Sequence, residues 1–407
     1  MNGRFSPVAY GSEGFASLAE TVRVTRRRYH ERLTGQDSSA PWWTAVVLTA
    51  SSRLQAERYE AEIRSRVSTG CIPSGVQYLV VPDPDDQRVG SGGATLNALR
   101  HLMDHAAFGG VLDRESELIR WWSENRVLLI HSGGDSRRLP QYSLTGKLFA
   151  AVPLNTPSGQ VSTVFDETLA LSTAWADHLP AGLVVGSGDV ILTFDASSLT
   201  WDRPGICGVA MLQAAELGTR HGVYIASESG LIYRFLQKPS MTDLRAAGGL
   251  IRGEEVALDT GLIRFDPTAA ARLVRIAGLP EVEGMLTRKP RIPGTSPTAD
   301  HKAVFIDLYA HLTMSLTGQW KPGPTDHPAL HELAEGLRGI PFWCSLVAGD
   351  FTHIGTTYLF RELMTRVTEF SRLHAAHPQS GVSMQKGVKS GGFVIDSALS
   401  AGAELGG

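Results

Sequence analysis

At 407 residues the chain is longer than one ordinary domain, and 43% apolar with 19% charged residues predicts a soluble globular protein with a large core. A net charge of −3 gives no electrostatic hold on nucleic acid or an anionic membrane, and no window approaches the roughly 18 apolar residues a membrane span needs. Three well-separated cysteines, Cys71, Cys207 and Cys344, and a start without a signal-peptide core point to a reducing cytoplasm.

The chain opens with a helical-looking extension, residues 1–40, in which Arg26-Arg27-Arg28 reads as a solvated face. Apolar runs at 44–50, 77–81, 127–130, 182–186 and 206–211, bounded by Gly, Pro, Ser or Asp, predict buried parallel strands. Helical patterns at 53–67, 94–106 and 163–179 separate most of them. That alternation predicts a doubly wound α/β domain over 41–380, with a mostly parallel sheet and ligands at the carboxyl ends of its strands. The Pro- and Thr-rich stretch 286–302 reads as a loop, and a helix follows around 303–316, where Asp307 suits a capping or hydrogen-bonded structural role. The tail, 381–407, is either the opening coil of a parallel β-helix or a frayed end.

The segment from 130 to 149, IHSGGDSRRLPQYSLTGKLF, follows a predicted strand and carries most of the chemistry. Gly133 and Gly134 allow a sharp turn whose N–H groups face an anion, with Ser136 in the same turn. Arg137, Arg138 and Lys147 follow, two guanidinium forks and one point charge suited to phosphate. A Walker loop is excluded because Leu148 stands where a hydroxyl is required after the lysine. A second loop, Gly90-Ser91-Gly92-Gly93, opens a helix, so its N–H groups are candidates for an anion or a base edge; a tight turn without ligand contact is the alternative. Asp189, after the strand 182–186, suits Mg²⁺, which takes one or two carboxylates plus substrate phosphates.

The 130–149 segment resembles the signature of sugar-1-phosphate nucleotidyltransferases, Gly-Gly-x-Gly-Thr-Arg-Leu-x-Pro followed by a lysine. It departs in having Ser136 and Arg137 for the usual Gly-Thr and one residue fewer before Lys147. These departures, with Gly-Lys-Leu-Phe at 146–149 and Val-Pro at 152–153, make it similar to the fucose-1-phosphate guanylyltransferase family, including the guanylyltransferase half of bifunctional fucokinase enzymes. The loop at 88–99 also resembles an upstream motif of that family. The resemblance implies a nucleotidyltransferase Rossmann-like fold, and transfer of a nucleotide from a nucleoside triphosphate to a sugar 1-phosphate with release of pyrophosphate. It gives Lys147, Arg138 and Arg137 catalytic roles, and makes Asp189 a Mg²⁺ ligand.

On the sugar side, the resemblance makes Lys238 a contact to the sugar phosphate, and Asp259 with Thr260 contacts to sugar hydroxyls. His353 stands where relatives carry a second metal-binding aspartate, so it is read either as a phosphate or sugar contact or as a structural histidine; Asp350 lies close by. Guanine and fucose follow from the resemblance alone. A non-catalytic nucleotide-sugar-binding regulator and a sugar kinase are the competing readings, the latter because 90–96 is similar to a kinase phosphate loop.

Overall fold

The computed structural model describes residues 12–37, 43–106, 114–132, 136–287 and 304–376, with the backbone of 389–390 and 404–405. Gly133, Gly134 and most of the 381–407 tail, with its expected β-helix coil, lie outside the described residues. In chain order the strands are β1 (Ala45–Ala50), β2 (Gln77–Pro82), β3 (Arg126–His131), the short pair β4 (Ala151–Asn155) and β5 (Val161–Thr163), β6 (Gly182–Ser187), β7 (Val190–Phe194), β8 (Ile206–Ala214), β9 (Gly222–Ala226), β10 (Ile232–Gln237), β11 (Glu255–Phe265), β12 (Phe342–Val347) and β13 (Gly349–His353). All five expected strands are among them.

The main sheet runs β2-β1-β3-β6-β11-β8-β12, and every strand in that order is parallel except β11. The mostly parallel α/β architecture expected from the sequence is therefore present. The antiparallel β9–β10 hairpin attaches beside Ala257 and Leu258 of β11. Strands covered on both faces are apolar at every position, because alternate side chains enter opposite layers. Thus Val46, Leu48, Leu128 and Ile130 join one core layer, while Ala45, Val47, Val127 and Leu129 join the other. Helix Arg53–Ser68 begins where the Ser52 side chain accepts from the Gln55 N–H, and helix Val164–His178 begins with a Thr163/Asp166 capping box.

Two features bear on the site. Between Asp259 and Leu262 the pairing of β11 with β8 slips, leaving Thr260 and Gly261 as a bulge with Gly261 at φ +74°. β7 and β13 form a separate antiparallel ribbon that sets His353 opposite Val190, next to Asp189.

One surface expectation is corrected. Arg26 lies on the face of helix Ser12–Leu33 that carries Val22 and Tyr29, and that face packs on helix Val164–His178. Its guanidinium pairs with buried Glu167 and lies 2.9 Å from His374 Nδ1, leaving only Arg27 and Arg28 as solvated charges. Breaking a buried pair strands the surviving charge, so Arg26→Ala is expected to cost about 3 kcal/mol in urea unfolding. Arg27→Ala, at an exposed position, is expected to change stability by less than about 0.5 kcal/mol.

Candidate active site

The carboxyl ends of β3 and β6 open side by side, and the loops that follow them build the two walls of a cleft. After β3 the described chain resumes at Ser136, which holds φ +46° and whose carbonyl accepts from Leu139 N–H at 2.6 Å. This left-handed backbone explains why the wider signature has glycine at that position; a serine there costs roughly 1–2 kcal/mol. The next turn is tied down from outside, because the Arg138 carbonyl accepts from both the N–H (2.7 Å) and the hydroxyl (3.0 Å) of Thr357. Arg137 and Arg138 stand exposed on this pinned turn, lining the cleft.

Lys147 enters from below. Gly146 precedes it at φ +68°, and a Cβ built there would run into the Tyr59 hydroxyl, which donates to the Ser132 carbonyl at 2.9 Å. Only glycine meets both demands, so Gly146→Ala is expected to lower stability by about 2 kcal/mol or more. Adding Tyr59→Phe removes the nearest clash, and thermal melts of the single and double variants should show partial recovery.

From this turn Lys147 Nζ reaches Asp189 Oδ2 at 2.9 Å. His353 Nε2 stands 3.4 Å from the same oxygen, and Ser187 Oγ donates to Asp189 Oδ1 at 2.8 Å. Burial pushes the Asp189 carboxyl up, but His353 and Lys147 outweigh it and hold the group well below the usual carboxylate range. Asp189 is therefore an anion at neutral pH. Asp350 does not share this site: it lies two residues from Thr352 on the opposite face of β13 from His353, and accepts the Thr352 hydroxyl at 2.5 Å.

The 90–93 loop has a different task from the anion cradle expected of it. The Gly92 and Gly93 N–H groups donate to the Ile306 carbonyl at 2.8 and 3.1 Å, while Ile306 N–H donates to Val89. A Cβ at Gly90 would strike the Ile306 carbonyl, and one at Gly92 would meet Ile306 Cγ2 at 2.7 Å. These glycines admit a strap, residues 304–313, that crosses the cleft. Ser91 faces the cleft and its Oγ accepts from Leu308 N–H at 2.9 Å. Asp307 caps the strap's helical turn, accepting from Tyr309 and Ala310 N–H groups, so the helix expected from 303 begins only at Leu308.

The cleft has a volume of about 330 Å³ and gathers Ser91, Ser136, Arg137, Arg138, Lys147 and Asp189, six of the expected site residues. A family described as the fucose pyrophosphorylase domain matches residues 120–407. The chain belongs to that family. It is 35% identical over 286 residues to a bifunctional fucokinase/GDP-fucose pyrophosphorylase of Arabidopsis thaliana, covering 64% of this chain and 27% of that protein. To the fucose-1-phosphate guanylyltransferase of Mus musculus it is 32% identical over 242 residues, covering 56% of this chain and 38% of the relative. To an L-fucokinase/L-fucose-1-P guanylyltransferase of Bacteroides fragilis it is 25% identical over 293 residues, covering 69% and 26%. The matches thus span between about a quarter and two fifths of these relatives' lengths.

In this fucose pyrophosphorylase domain the sugar-side expectations fare unevenly. Thr260 points into the bulge, its hydroxyl donating to the Val209 carbonyl at 2.7 Å, so it is not free for a sugar. Asp259 is buried behind the cleft wall, accepting from the Tyr224 hydroxyl (2.8 Å) and Gly261 N–H (2.9 Å), and burial pushes it up to about 6. Lys238 is exposed at the end of β10, its N–H donating to the His221 carbonyl. Sequence reasoning passed over His221, whose ring lies 5.4 Å from that of His353 and which burial, then His353, draws down to about 4. It also passed over His131, which donates from Nε2 to Thr95 Oγ1 at 2.9 Å because the Thr95 hydroxyl proton goes to the Ser91 carbonyl. His131 stands inside the 130–149 signature, which was read for its glycines and cations, and His221 stands outside it.

Proposed function

We propose that the chain joins a sugar 1-phosphate to a nucleoside triphosphate, releasing pyrophosphate, with GTP and fucose 1-phosphate as the pair. The carrying observation is one cleft that presents Lys147, Arg137 and Arg138 against the ionised Asp189 at the carboxyl edge of the sheet. The relatives' names support guanine and fucose.

A sugar-phosphate oxygen attacks the α-phosphorus, the α–β phosphoanhydride bond breaks, and pyrophosphate leaves with the electron pair. The nucleophile is already an anion, so no general base is needed, and catalysis reduces to positioning and charge neutralisation. Lys147 stabilises the α-phosphoryl group and Arg138 with Arg137 the departing pyrophosphate, while Ser136, with Gly133 and Gly134, is assigned to the nucleotide. Lys238 and His353 are the residues we assign to the sugar phosphate, although neither lines the cleft itself.

Asp189 with the Ser187 hydroxyl offers a Mg²⁺ ion one carboxylate and one neutral oxygen, leaving the remaining positions to substrate phosphates and water, a set that fits this ion. When bound, Mg²⁺ would neutralise phosphate charge. Among the described residues no helix is long and apolar enough to cross a membrane, and the cysteines are free, which supports a cytoplasmic setting.

Pyrophosphate and GDP-fucose should appear on mixing GTP, fucose 1-phosphate and Mg²⁺ with the protein. GDP appearing instead from GTP and free fucose would favour a kinase. Nucleotide-sugar binding without turnover would favour a regulator.

A further inference from the structure

We propose that Tyr309, backed by Leu308, forms the wall that recognises the sugar and selects a 6-deoxyhexose through its methyl group. The inference rests on the nucleotidyl-transfer reading above and assigns its sugar specificity to the strap.

Among the described residues lining the cleft, Leu308 and Tyr309 are the two with largely apolar side chains; the others are polar, charged or glycine. A sugar phosphate needs cations and hydrogen bonds for its phosphate and hydroxyls, but a methyl group needs carbon. Among the described lining residues, the strap supplies it.

The position also suits the sugar. The Arg137–Arg138 turn, at the β3 side, takes the leaving pyrophosphate, and in-line displacement brings the nucleophile from the opposite side of the α-phosphorus. That side lies over β6 and β11, where the Tyr309 hydroxyl sits against the Gly261 bulge: a Cβ there would be 3.3 Å from it and 3.4 Å from Ser187 Cβ. Asp259 and Thr260, the residues the sequence offered for this role, are turned inward.

The wall is preorganised. Tyr309 stacks on Phe235 with ring centres 5.8 Å apart and planes 16° from parallel. The strap beneath it is held by Ile306 on the 90–93 glycines and by Ser91 on Leu308. A ring fixed in this way rejects a hydroxymethyl group, because the added hydroxyl loses water and finds no partner against the aromatic face.

Fucose 1-phosphate and L-galactose 1-phosphate differ only by that hydroxyl. Wild-type protein with GTP should favour the fucose compound in kcat/KM by roughly 10–100-fold. Tyr309→Ala should shrink this ratio at least about fivefold, chiefly through KM for the sugar phosphate, while Tyr309→Phe, which keeps the ring, should retain it. If Tyr309→Ala does not fold, Tyr309→Leu replaces the ring with a flexible apolar side chain and should also lower the ratio. An unchanged ratio in the Ala or Leu variant, equal use of both sugars by the wild type, or loss of the ratio in Tyr309→Phe would overturn the wall. Absence of pyrophosphate with either sugar and any nucleoside triphosphate would instead overturn the underlying reading; calorimetric binding of the two sugar phosphates then decides the wall alone.

Discussion

Alanine at Lys147 is expected to slow pyrophosphate release by roughly 10²–10³-fold, with the loss in kcat rather than in KM for the nucleotide. The reason is geometric. Lys147 is fixed at both ends, by the Gly146 turn against Tyr59 and by Asp189 at 2.9 Å, so its charge is already in place when negative charge develops on the α-phosphoryl group. Arg137 and Arg138 stand exposed on a separate turn and cannot take over that position without moving it off Thr357. Lys147→Arg should rescue poorly, because a planar guanidinium does not replace a compact ammonium at a point contact. The fold should tolerate either change, since Asp189 keeps Ser187 and His353. Single-turnover rates near wild type in Lys147→Ala would sink this assignment.

The parts of the protein governed by local pattern were legible in the sequence. Continuous apolar runs such as 127–130 and 182–186 read as strands because both faces are covered, and they appear as β3 and β6 extended by one or two residues. The signature loop was legible because glycine, arginine and lysine at fixed offsets leave few alternative readings. What depended on distant contacts was not. The glycines at 90, 92 and 93 looked like a ligand loop, but the demand for space at Gly90 and Gly92 comes from Ile306, more than 200 residues later. Tyr309 lay in an ordinary helical pattern, and nothing local marks the strap that carries it. Thr260 and Asp259 read as a substrate pair because the slip in pairing with β8, which turns both inward, is a property of two strands and not of one. The same holds for His353, whose ribbon partner β7 is about 160 residues away, too far for spacing to show that it meets Asp189.

Asp189 carries the second large effect. Asp189→Asn keeps the side chain's shape, and its amide oxygen still accepts the Ser187 hydroxyl, but the charge that faces Lys147 and His353 is gone. If the carboxylate helps to hold Mg²⁺, the variant should lose about 10²-fold or more in turnover and require at least about tenfold more Mg²⁺ for half-maximal rate, because a neutral amide is a far weaker ligand for a hard cation. If its task is only to aim Lys147, turnover should fall while the Mg²⁺ requirement stays at the wild-type value. A titration of rate against Mg²⁺ at saturating GTP separates the two.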